Sequence, residues 1–284
     1  MAKSQHTGMV IAGAAVAAAV VGGILVARRL KRVPFATGRI NILDVPVDPL
    51  TMEEALARIE EYIRSGRPHH IFTADASGIM RAQEDPALHA IVTLADLVTP
   101  DGSGVLLASR INGAALPERV SGVDLVEHIS AMAAERGYAI YLFGAVEGTA
   151  QAAAEALQGR YPGLKVAGVR NGYFTGDEEA KIVEEIAAAK PDAHFVALGI
   201  PKQEIFIRKH FEALGVPVMI GVGGSFDVVS GRLKRAPAWM QRTGLEWLYR
   251  FLQEPSRLPR LAALPQFVFA SWRSRKRPRP DNSR

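Results

Sequence analysis

The sequence predicts an α/β domain on a mostly parallel sheet, and three observations favour this class. Short runs rich in β-branched and aromatic residues alternate with segments of helical spacing along most of the chain. Helices of about 10–15 residues between strands are typical of βαβ units. Glycine-containing turns follow several strands, and open α/β sheets bind ligands at these carboxyl ends. We expect flanking helices, a transmembrane helix at the N-terminus and a helical appendage at the C-terminus.

The expected elements begin with a strand or hairpin at Ile40–Val47 and a helix at Met52–Ser65. Thr51 precedes this helix and Glu54 follows three residues later, which is the capping-box pattern. The later elements are a strand at 70–74, a helix near 77–83, strands at 97–99 and 139–144, a helix near 147–160, a strand at 165–169, a helix near 178–189, a strand at 194–199, a helix near 202–213 and a strand at 217–222.

Positive charge is concentrated at the two ends of the chain. Residues 1–33 carry five Lys/Arg and no acid, and residues 250–284 carry nine Lys/Arg and two acids. Because the whole chain has a net charge of only +5, the body between these ends is acidic. Basic ends on an acidic body are typical of an enzyme held against an anionic membrane surface. The absence of cysteine excludes a disulfide framework.

The apolar run Met9–Ala27 has no charge over nineteen residues, which is enough for one transmembrane helix. A cleaved signal peptide is the alternative, but the strong basic flank at 28–32 follows the run, whereas signal peptides carry it before. The positive-inside rule then places the body on the cytoplasmic side. The expected regions are an anchor at 1–33, an α/β catalytic domain at 34–233, a membrane-associating appendage at 234–272 and a disordered basic tail at 273–284.

Polar residues follow several strands at the expected ligand edge. These candidates are Thr73, Asp75, Asp101, Gln203 and Asp227, and the glycines among them are Gly102, Gly144, Gly199, Gly223 and Gly224. Glycine turns that open helices suit phosphate binding, because free N–H groups point at the ligand. Structural alternatives exist: Asp101 and Asp227 can be turn residues or helix caps, and Gln203 an ordinary first-turn residue. Arg119 can equally be a solvated loop charge.

Several familiar site types are missing from the sequence. There is no P-loop, HExxH or EF-hand pattern, and the glycines at 221–226 fail the dinucleotide pattern at its last position. No His/Asp cluster has metal-ligand spacing, so we expect neither a metal nor a cofactor. A nucleic-acid partner is disfavoured, because the basic tail is short and lacks interleaved aromatic residues.

The C-terminal segment combines arginines with aromatic residues, a composition typical of helices on membrane surfaces. Arg250, Arg257 and Arg260 are spaced by seven and three residues, which places them near one face of a continuous helix. Pro255 and Pro259 can interrupt that helix. The alternative is an ordinary amphipathic core helix followed by a solvated tail.

Ordered motifs occur from about Arg39 to Arg260. They are PDG at 100–102, ERVSGVDL at 118–125, GIPKQE at 199–204, GVGGSFD at 221–227, GRLKRAP at 231–237, LEWLYR at 245–250 and EPSRLPR at 254–260. Together they resemble the WecG/TagA/CpsF glycosyltransferase family. The resemblance implies a Rossmann-like core and metal-independent, inverting transfer of a sugar, typically N-acetylmannosamine, from a UDP donor. The acceptor would be a polyprenyl-diphosphate-linked sugar at the inner face of the bacterial cytoplasmic membrane, for cell-surface polymer synthesis.

The resemblance also implies roles for individual residues. Asp101 matches the general base, Thr73, Arg119 and Gln203 match polar active-site residues, and Asp227 matches an acid near the uracil. Arg250, Arg257 and Arg260 match arginines that bind the acceptor diphosphate. The UDP-sugar is expected to contact Gly102, Gly144, Gly199, Gly223, Gly224, Phe226 and Asp227.

One departure from the family concerns Asp75, which stands where the family usually has Asn. An ionised Asp only accepts hydrogen bonds, whereas Asn also donates, so the donor sugar or the geometry of the base is in question. Two rival functions are a membrane-anchored nucleotide-sugar-binding protein without catalysis and a nucleic-acid-binding protein. A homo-oligomer is compatible with the sequence.

Overall fold

The computed structural model describes residues 35–254 and 258–275. The expected anchor at 1–33, Arg257 and most of the basic tail lie outside the described residues. Within the described ranges, no helix is both long and apolar enough to cross a bilayer.

Eight strands are present in the described residues, and six of them form one parallel sheet. The strands are β1 Ile40–Ile42, β2 Val45–Val47, β3 His69–Ala74, β4 Leu97–Pro100, β5 Ala139–Gly144, β6 Lys165–Arg170, β7 Ala193–Ala197 and β8 Val218–Gly221. The sheet order is β4-β3-β8-β7-β5-β6, and every pairing in it is parallel. β1 and β2 form a separate antiparallel hairpin. The predicted α/β class with a mostly parallel sheet is confirmed.

Helices connect the strands and continue beyond the last one. They are α1 Met52–Ser65, α2 Ala76–Glu84, α3 Pro86–Thr93, α4 Ser103–Ile111, α5 Gly122–Arg136, α6 Thr149–Arg160, α7 Gly176–Ala189, α8 Lys202–Lys209, α9 Phe211–Leu214, α10 Ser225–Val229, α11 Ala238–Thr243, α12 Glu246–Gln253 and α13 Leu258–Ser274. Thr51 and Glu54 form the predicted capping box at the start of α1.

The sheet buries both faces, because successive side chains of a strand point to opposite sides. In β3, Ile71 joins the core under α1, α5 and α6, whereas Phe72 joins the core under α2, α3 and α4. A third apolar cluster lies under α7, α8 and α9. Burial on both sides explains why the strands appear in the sequence as continuous apolar runs.

Three helices between strands were not predicted, namely α3, α4 and α5. Asp85 caps α3 by accepting hydrogen bonds from the N–H groups of Ala87 and Leu88. Ser121 caps α5 through the Asp124 N–H. The Asp85 and Ser121 caps were readable in the sequence, but no helical segment was predicted after either residue. The predicted helix near 202–213 is divided at His210 into α8 and α9.

Residues 234–275 form α11, α12 and α13 where they are described. α12 ends at Gln253 and α13 begins at Leu258, so the condition of one continuous helix for the arginine face is not met, and the expected alternative of an interrupted helix applies. α13 packs on α2 and α4. Phe267 is fully buried there, and a Cβ built on Gly104 of α4 would lie 3.3 Å from Leu264 Cδ2. This helix is therefore part of the domain core as well as of the appendage.

Candidate active site

A cleft of about 230 Å³ opens at the carboxyl ends of β3, β4, β7 and β8. Residues of α12 and α13 close it on the opposite side. The cleft collects most of the sequence-predicted site residues: Thr73, Asp75, Asp101, Gly102, Arg119, Gly199, Gln203, Gly223, Gly224 and Arg250. The strand-end rule for ligand sites in open parallel sheets accounts for this convergence.

Thr73 and Gln203 lock the strand ends together. The Thr73 hydroxyl donates to the Gly221 carbonyl at 2.7 Å and so ties β3 to β8. Gln203 Oε1 accepts from the Gly199 N–H at 3.1 Å and from the Gly223 N–H at 3.0 Å. Both side chains are buried. The N–H groups of Gly199 and Gly223 are therefore already occupied by Gln203.

A buried carboxylate fixes the orientation of the Gln203 amide. Gln203 Nε2 donates to Glu204 Oε1 at 2.8 Å, and His70 Nε2 lies 2.7 Å from Glu204 Oε2. A side chain at Gly221 would collide with Glu204 and Gln203. His70, Glu204 and Gln203, together called the strand-end network, are almost completely excluded from solvent. Glu204 lies in the GIPKQE motif, but the sequence assigned it no role, because its partner His70 is 134 residues away.

Asp101 directly follows β4 and faces the cleft. Its backbone N–H donates to the Ala74 carbonyl at 2.9 Å, and its Oδ2 accepts from the Gly122 N–H at 3.2 Å. Burial, and Asp75 in addition, raise the pKa of Asp101, while Arg119, the Gly122 N–H and Arg250 lower it; the resulting pKa is about 6. A carboxyl with this pKa is ionised at neutral pH and binds protons more strongly than an exposed aspartate. Such a group is suited to general-base catalysis.

Asp75 is the N-cap of α2. Its Oδ1 accepts from the Gly78 N–H at 2.6 Å, and its backbone is extended. Gly102 occupies the equivalent N-cap position of α4, where no side chain caps the helix. Gly102, Ser103 and Gly104 line the cleft, so the uncapped start of α4 faces it.

Arg119 is paired with the appendage instead of being a solvated loop charge. Its Nη1 lies 2.6 Å from Glu246 Oε2, and its Nη2 lies 3.7 Å from Asp124 Oδ2. Arg235 completes this cluster, with its Nη2 2.5 Å from Asp124 and its Nε 3.8 Å from Glu246. The four residues, called the appendage ion cluster, connect the loop before α5 to the start of α12.

Three predicted donor-binding residues lie outside this cleft. Phe226 is fully buried in the apolar core, so its side chain packs against protein. Gly144 has φ of +124°, and a Cβ there would lie 2.5 Å from the Ala197 backbone, so its lack of a side chain serves strand packing. Asp227 lines a second groove beside the ends of β5 and β7, together with Tyr173, Phe174 and Lys202.

The two remaining arginines of the acceptor prediction have different positions. Arg260 falls within α13, and Arg257 lies outside the described residues. Arg250 of α12, whose side chain the structure describes, lines the cleft.

Sequence reasoning missed the roles of Asp124, Arg235 and Glu246. All three occur in the quoted motifs, but an acid inside an aromatic-basic segment was the only local signal for Glu246. Trp247 also lines the cleft and was placed only in the membrane-type segment. Among the described side chains, no group of three or more His, Asp or Glu residues is arranged to hold a metal ion.

Residues 40–281 match the glycosyl transferase WecG/TagA/CpsF family. Several curated relatives carry the name N-acetylglucosaminyldiphosphoundecaprenol N-acetyl-beta-D-mannosaminyltransferase. The Bacillus spizizenii relative is 35% identical over 235 residues, covering 82% of this chain and 90% of the relative. The Bacillus subtilis relative is 33% identical over 206 residues, covering 72% and 80%. A Staphylococcus aureus relative is 32% identical over 243 residues, covering 85% and 95%.

The parallel sheet, the strand-end carboxylate and the matched sequence together define an enzyme of the glycosyltransferase class. The chain belongs to the WecG/TagA/CpsF glycosyltransferase family, because that family matches most of its length. The resemblance carried by the ordered sequence motifs is confirmed.

Proposed function

We propose that this enzyme transfers N-acetylmannosamine from a UDP donor to a polyprenyl-diphosphate-linked N-acetylglucosamine. The observation that carries the proposal is Asp101, a cleft carboxylate whose pKa is raised to about 6, in a chain of this family. The names of the relatives support the sugar and the lipid-linked acceptor. The UDP half of the donor follows from the resemblance in the sequence motifs.

The transfer proceeds in one displacement. The acceptor hydroxyl gives its proton to the Asp101 carboxylate as its oxygen forms a bond to the anomeric carbon. The bond from that carbon to the UDP oxygen breaks, and UDP leaves with the bonding electrons. Attack on the face opposite UDP inverts the anomeric configuration. At neutral pH Asp101 is ionised, because its pKa of about 6 lies below 7, so it is ready to accept the proton.

Positive groups in the cleft favour a diphosphate there. Arg250 supplies a full charge, and the uncapped N-terminus of α4 supplies backbone N–H groups and the positive end of the helix dipole. These groups stabilise the negative charge that develops on a diphosphate as its bond to the sugar breaks. The second groove, which contains Asp227, is adjacent to the same strand edge and is assigned to the nucleoside part of the donor.

The appendage is assigned to the membrane surface. Large apolar side chains are exposed on its three helices, namely Trp239, Leu252, Phe269 and Trp272. Aromatic residues together with basic ones favour the interface of an anionic bilayer, where a polyprenyl-linked acceptor presents its diphosphate. The proposed location is therefore the inner face of the bacterial cytoplasmic membrane. The apolar run Met9–Ala27 is proposed as a second attachment.

The test is transfer by the purified full chain to a synthetic lipid-diphosphate N-acetylglucosamine, with a panel of UDP-sugars. We expect the acceptor to gain the mass of one N-acetylhexosamine with UDP-N-acetylmannosamine, and the product to have inverted configuration. Asp101→Asn is the control with strongly reduced turnover. Failure of every UDP-sugar to give product with the active-site residues intact would contradict the proposal.

Metal dependence provides a separate prediction. We expect turnover to continue in EDTA, because Arg250 and the start of α4 carry the diphosphate charge in the proposed transfer. The measurement is the initial rate with and without EDTA, followed by addition of Mg²⁺ or Mn²⁺. Complete loss of activity in EDTA, with recovery on adding either ion, would mean that a metal carries this charge.

A further inference from the structure

Asp75 is a second carboxylate in the cleft, and it has no part in the bond changes described above. β3 and β4 pair Ala74 with Pro100, so Asp75 and Asp101 follow the two strands at equivalent positions. The hydrogen bond from the Asp101 N–H to the Ala74 carbonyl holds the two chain segments together. Both residues line the cleft. Neighbouring parallel strands are about 4.8 Å apart, so the two carboxylates lie within strong electrostatic range.

Two features hold negative charge at Asp75. Its Oδ1 accepts the Gly78 N–H at 2.6 Å, and the N-terminus of α2 favours an anion at this N-cap. The residue after Asp101 is Gly102, and a Cβ there would lie 3.7 Å from both Cα and Cβ of Asp75. Asp75 therefore packs directly against the chain that carries Asp101.

The charges around Asp101 come from four directions. Asp75 faces it from the end of β3, Arg119 from the loop before α5, the Gly122 N–H from the start of α5, and Arg250 from α12. Arg119 is also paired with Glu246 and Asp124, whose negative charges partly offset its positive charge. The groups that favour ionised Asp101 are thus opposed by burial and by Asp75, and the pKa of Asp101 is raised to about 6.

We infer that Asp75 is a positioning residue for proton transfer, whose helix-anchored carboxylate keeps Asp101 a strong proton acceptor in a site where two arginines would otherwise weaken it. Asp75 acts through Asp101 and needs no contact with substrate. The catalytic consequence rests on the proposed function, whereas the electrostatic coupling between the two carboxylates does not.

The coupling is measurable without turnover, through the stability of the fold against pH. The folded-state pKa of Asp101 is about 6 and the ordinary value is 3.8. Protonated Asp101 therefore stabilises the folded state at low pH, and this contribution is lost as the pH rises from 3.8 through about 6. Asp101→Asn does not show this pH-dependent loss of stability, because asparagine does not titrate. The difference between the wild type and Asp101→Asn, measured by denaturant unfolding across this window, reports the Asp101 carboxyl alone.

The experiment introduces Asp75→Asn into both the wild type and Asp101→Asn, and measures the same difference in unfolding free energy across pH. We expect the pH-dependent loss due to Asp101 to become smaller, because the neighbouring negative charge is gone. Asn is as good an N-cap as Asp, and Asp75→Ser repeats the cycle with a neutral cap of different shape. Asp85→Asn is the matched control, since Asp85 caps α3 through two backbone N–H groups without lining the cleft. An unchanged loss in both the Asp75→Asn and the Asp75→Ser backgrounds would overturn the inference.

The kinetic readout is the acidic limb of kcat/KM against pH. We expect this limb to move to lower pH in Asp75→Asn, with lower turnover on the alkaline plateau because the base is weaker. Asp85→Asn should keep the wild-type limb. An Asp75→Asn limb identical to the wild type would contradict the inference. If the wild type transfers no sugar at all, the proposed function fails, and the unfolding cycle still decides the coupling.

Discussion

The cleft is built from two halves that are held by different forces. The strand-end network of His70, Glu204 and Gln203 is almost free of solvent, and its hydrogen bonds of 2.7–3.1 Å join β3, α8 and two glycine turns. On the opposite side, the appendage ion cluster joins Arg119 to Glu246 by a pair whose side chains are 21% and 9% exposed. One half consists of buried hydrogen bonds, and the other of partly exposed charges.

The two halves therefore differ in how strongly solution conditions can change their geometry. Buried hydrogen bonds operate in a low dielectric and are costly to leave unpaired, so the strand-end half forms with the fold. Partly exposed ion pairs are weakened by salt, so the appendage half depends on ionic strength. We expect mutations in the strand-end network itself to act mainly on stability and mutations in the appendage ion cluster mainly on catalysis.

The largest free-energy change is expected for Glu204→Ala. Removal of this carboxylate leaves His70 Nε2 and Gln203 Nε2 without their partner in a buried site. Loss of one partner from such a buried network costs about 3 kcal/mol or more. The measurement is the free energy of unfolding in denaturant at neutral pH.

Glu204→Gln serves as the conservative comparison. Its amide oxygen can still accept from Gln203, so we expect a smaller loss of stability than in the alanine variant. A wild-type stability for Glu204→Ala would mean that the strand-end network contributes little, and would remove the contrast between the two halves.

Asp101→Asn is expected to lower turnover by about 100-fold or more, as loss of general-base assistance does. Stability should change in the opposite direction. Burial, with a further contribution from Asp75, raises the folded-state pKa of Asp101 from the ordinary 3.8 to about 6. The ionised carboxylate therefore destabilises the folded state above pH 6. The asparagine variant should therefore have a higher Tm than the wild type above pH 6 and lose that advantage at pH 3.8.

The turnover measurement tests the base role of Asp101, and the Tm measurement tests its raised pKa. Near-normal turnover in folded Asp101→Asn would exclude the base role. An unchanged Tm difference between the two pH values would exclude the raised pKa.

The strand-end half was largely predictable from the sequence. Alternating strands and helices placed Thr73, Asp101 and Gln203 at one edge of a parallel sheet, and the structure puts all three there. What the sequence did not reveal was that Gln203 uses its carbonyl oxygen to hold Gly199 and Gly223. That arrangement depends on Glu204 and on its contact with His70, which is distant in the chain, so no local pattern indicates it.

The appendage half was less predictable. The basic and aromatic composition indicated a surface helix, yet Phe267 of α13 is fully buried against α2 and α4. The pairing of Arg119 with Glu246 spans 127 residues and has no spacing signature. The separation of α12 from α13 further prevented the helical-face argument from placing Arg250 relative to Arg260.

The smallest effect is expected for Glu246→Gln, which tests whether the appendage ion cluster serves catalysis. Glutamine keeps a hydrogen-bond acceptor for Arg119 but removes the charge, a change worth about 1 kcal/mol, or roughly fivefold in kcat/KM. Glu127→Gln is the matched control, because Glu127 pairs with Arg160 at the same 2.6 Å distance without lining the cleft. Added salt should lower wild-type kcat/KM towards the Glu246→Gln value and affect the variant less, since the variant has already lost the screened attraction. If Glu246→Gln and Glu127→Gln have the same activity and the same salt dependence, the charges between Arg119 and α12 only join two parts of the fold. The expected contrast between the appendage ion cluster and the strand-end network would then be wrong.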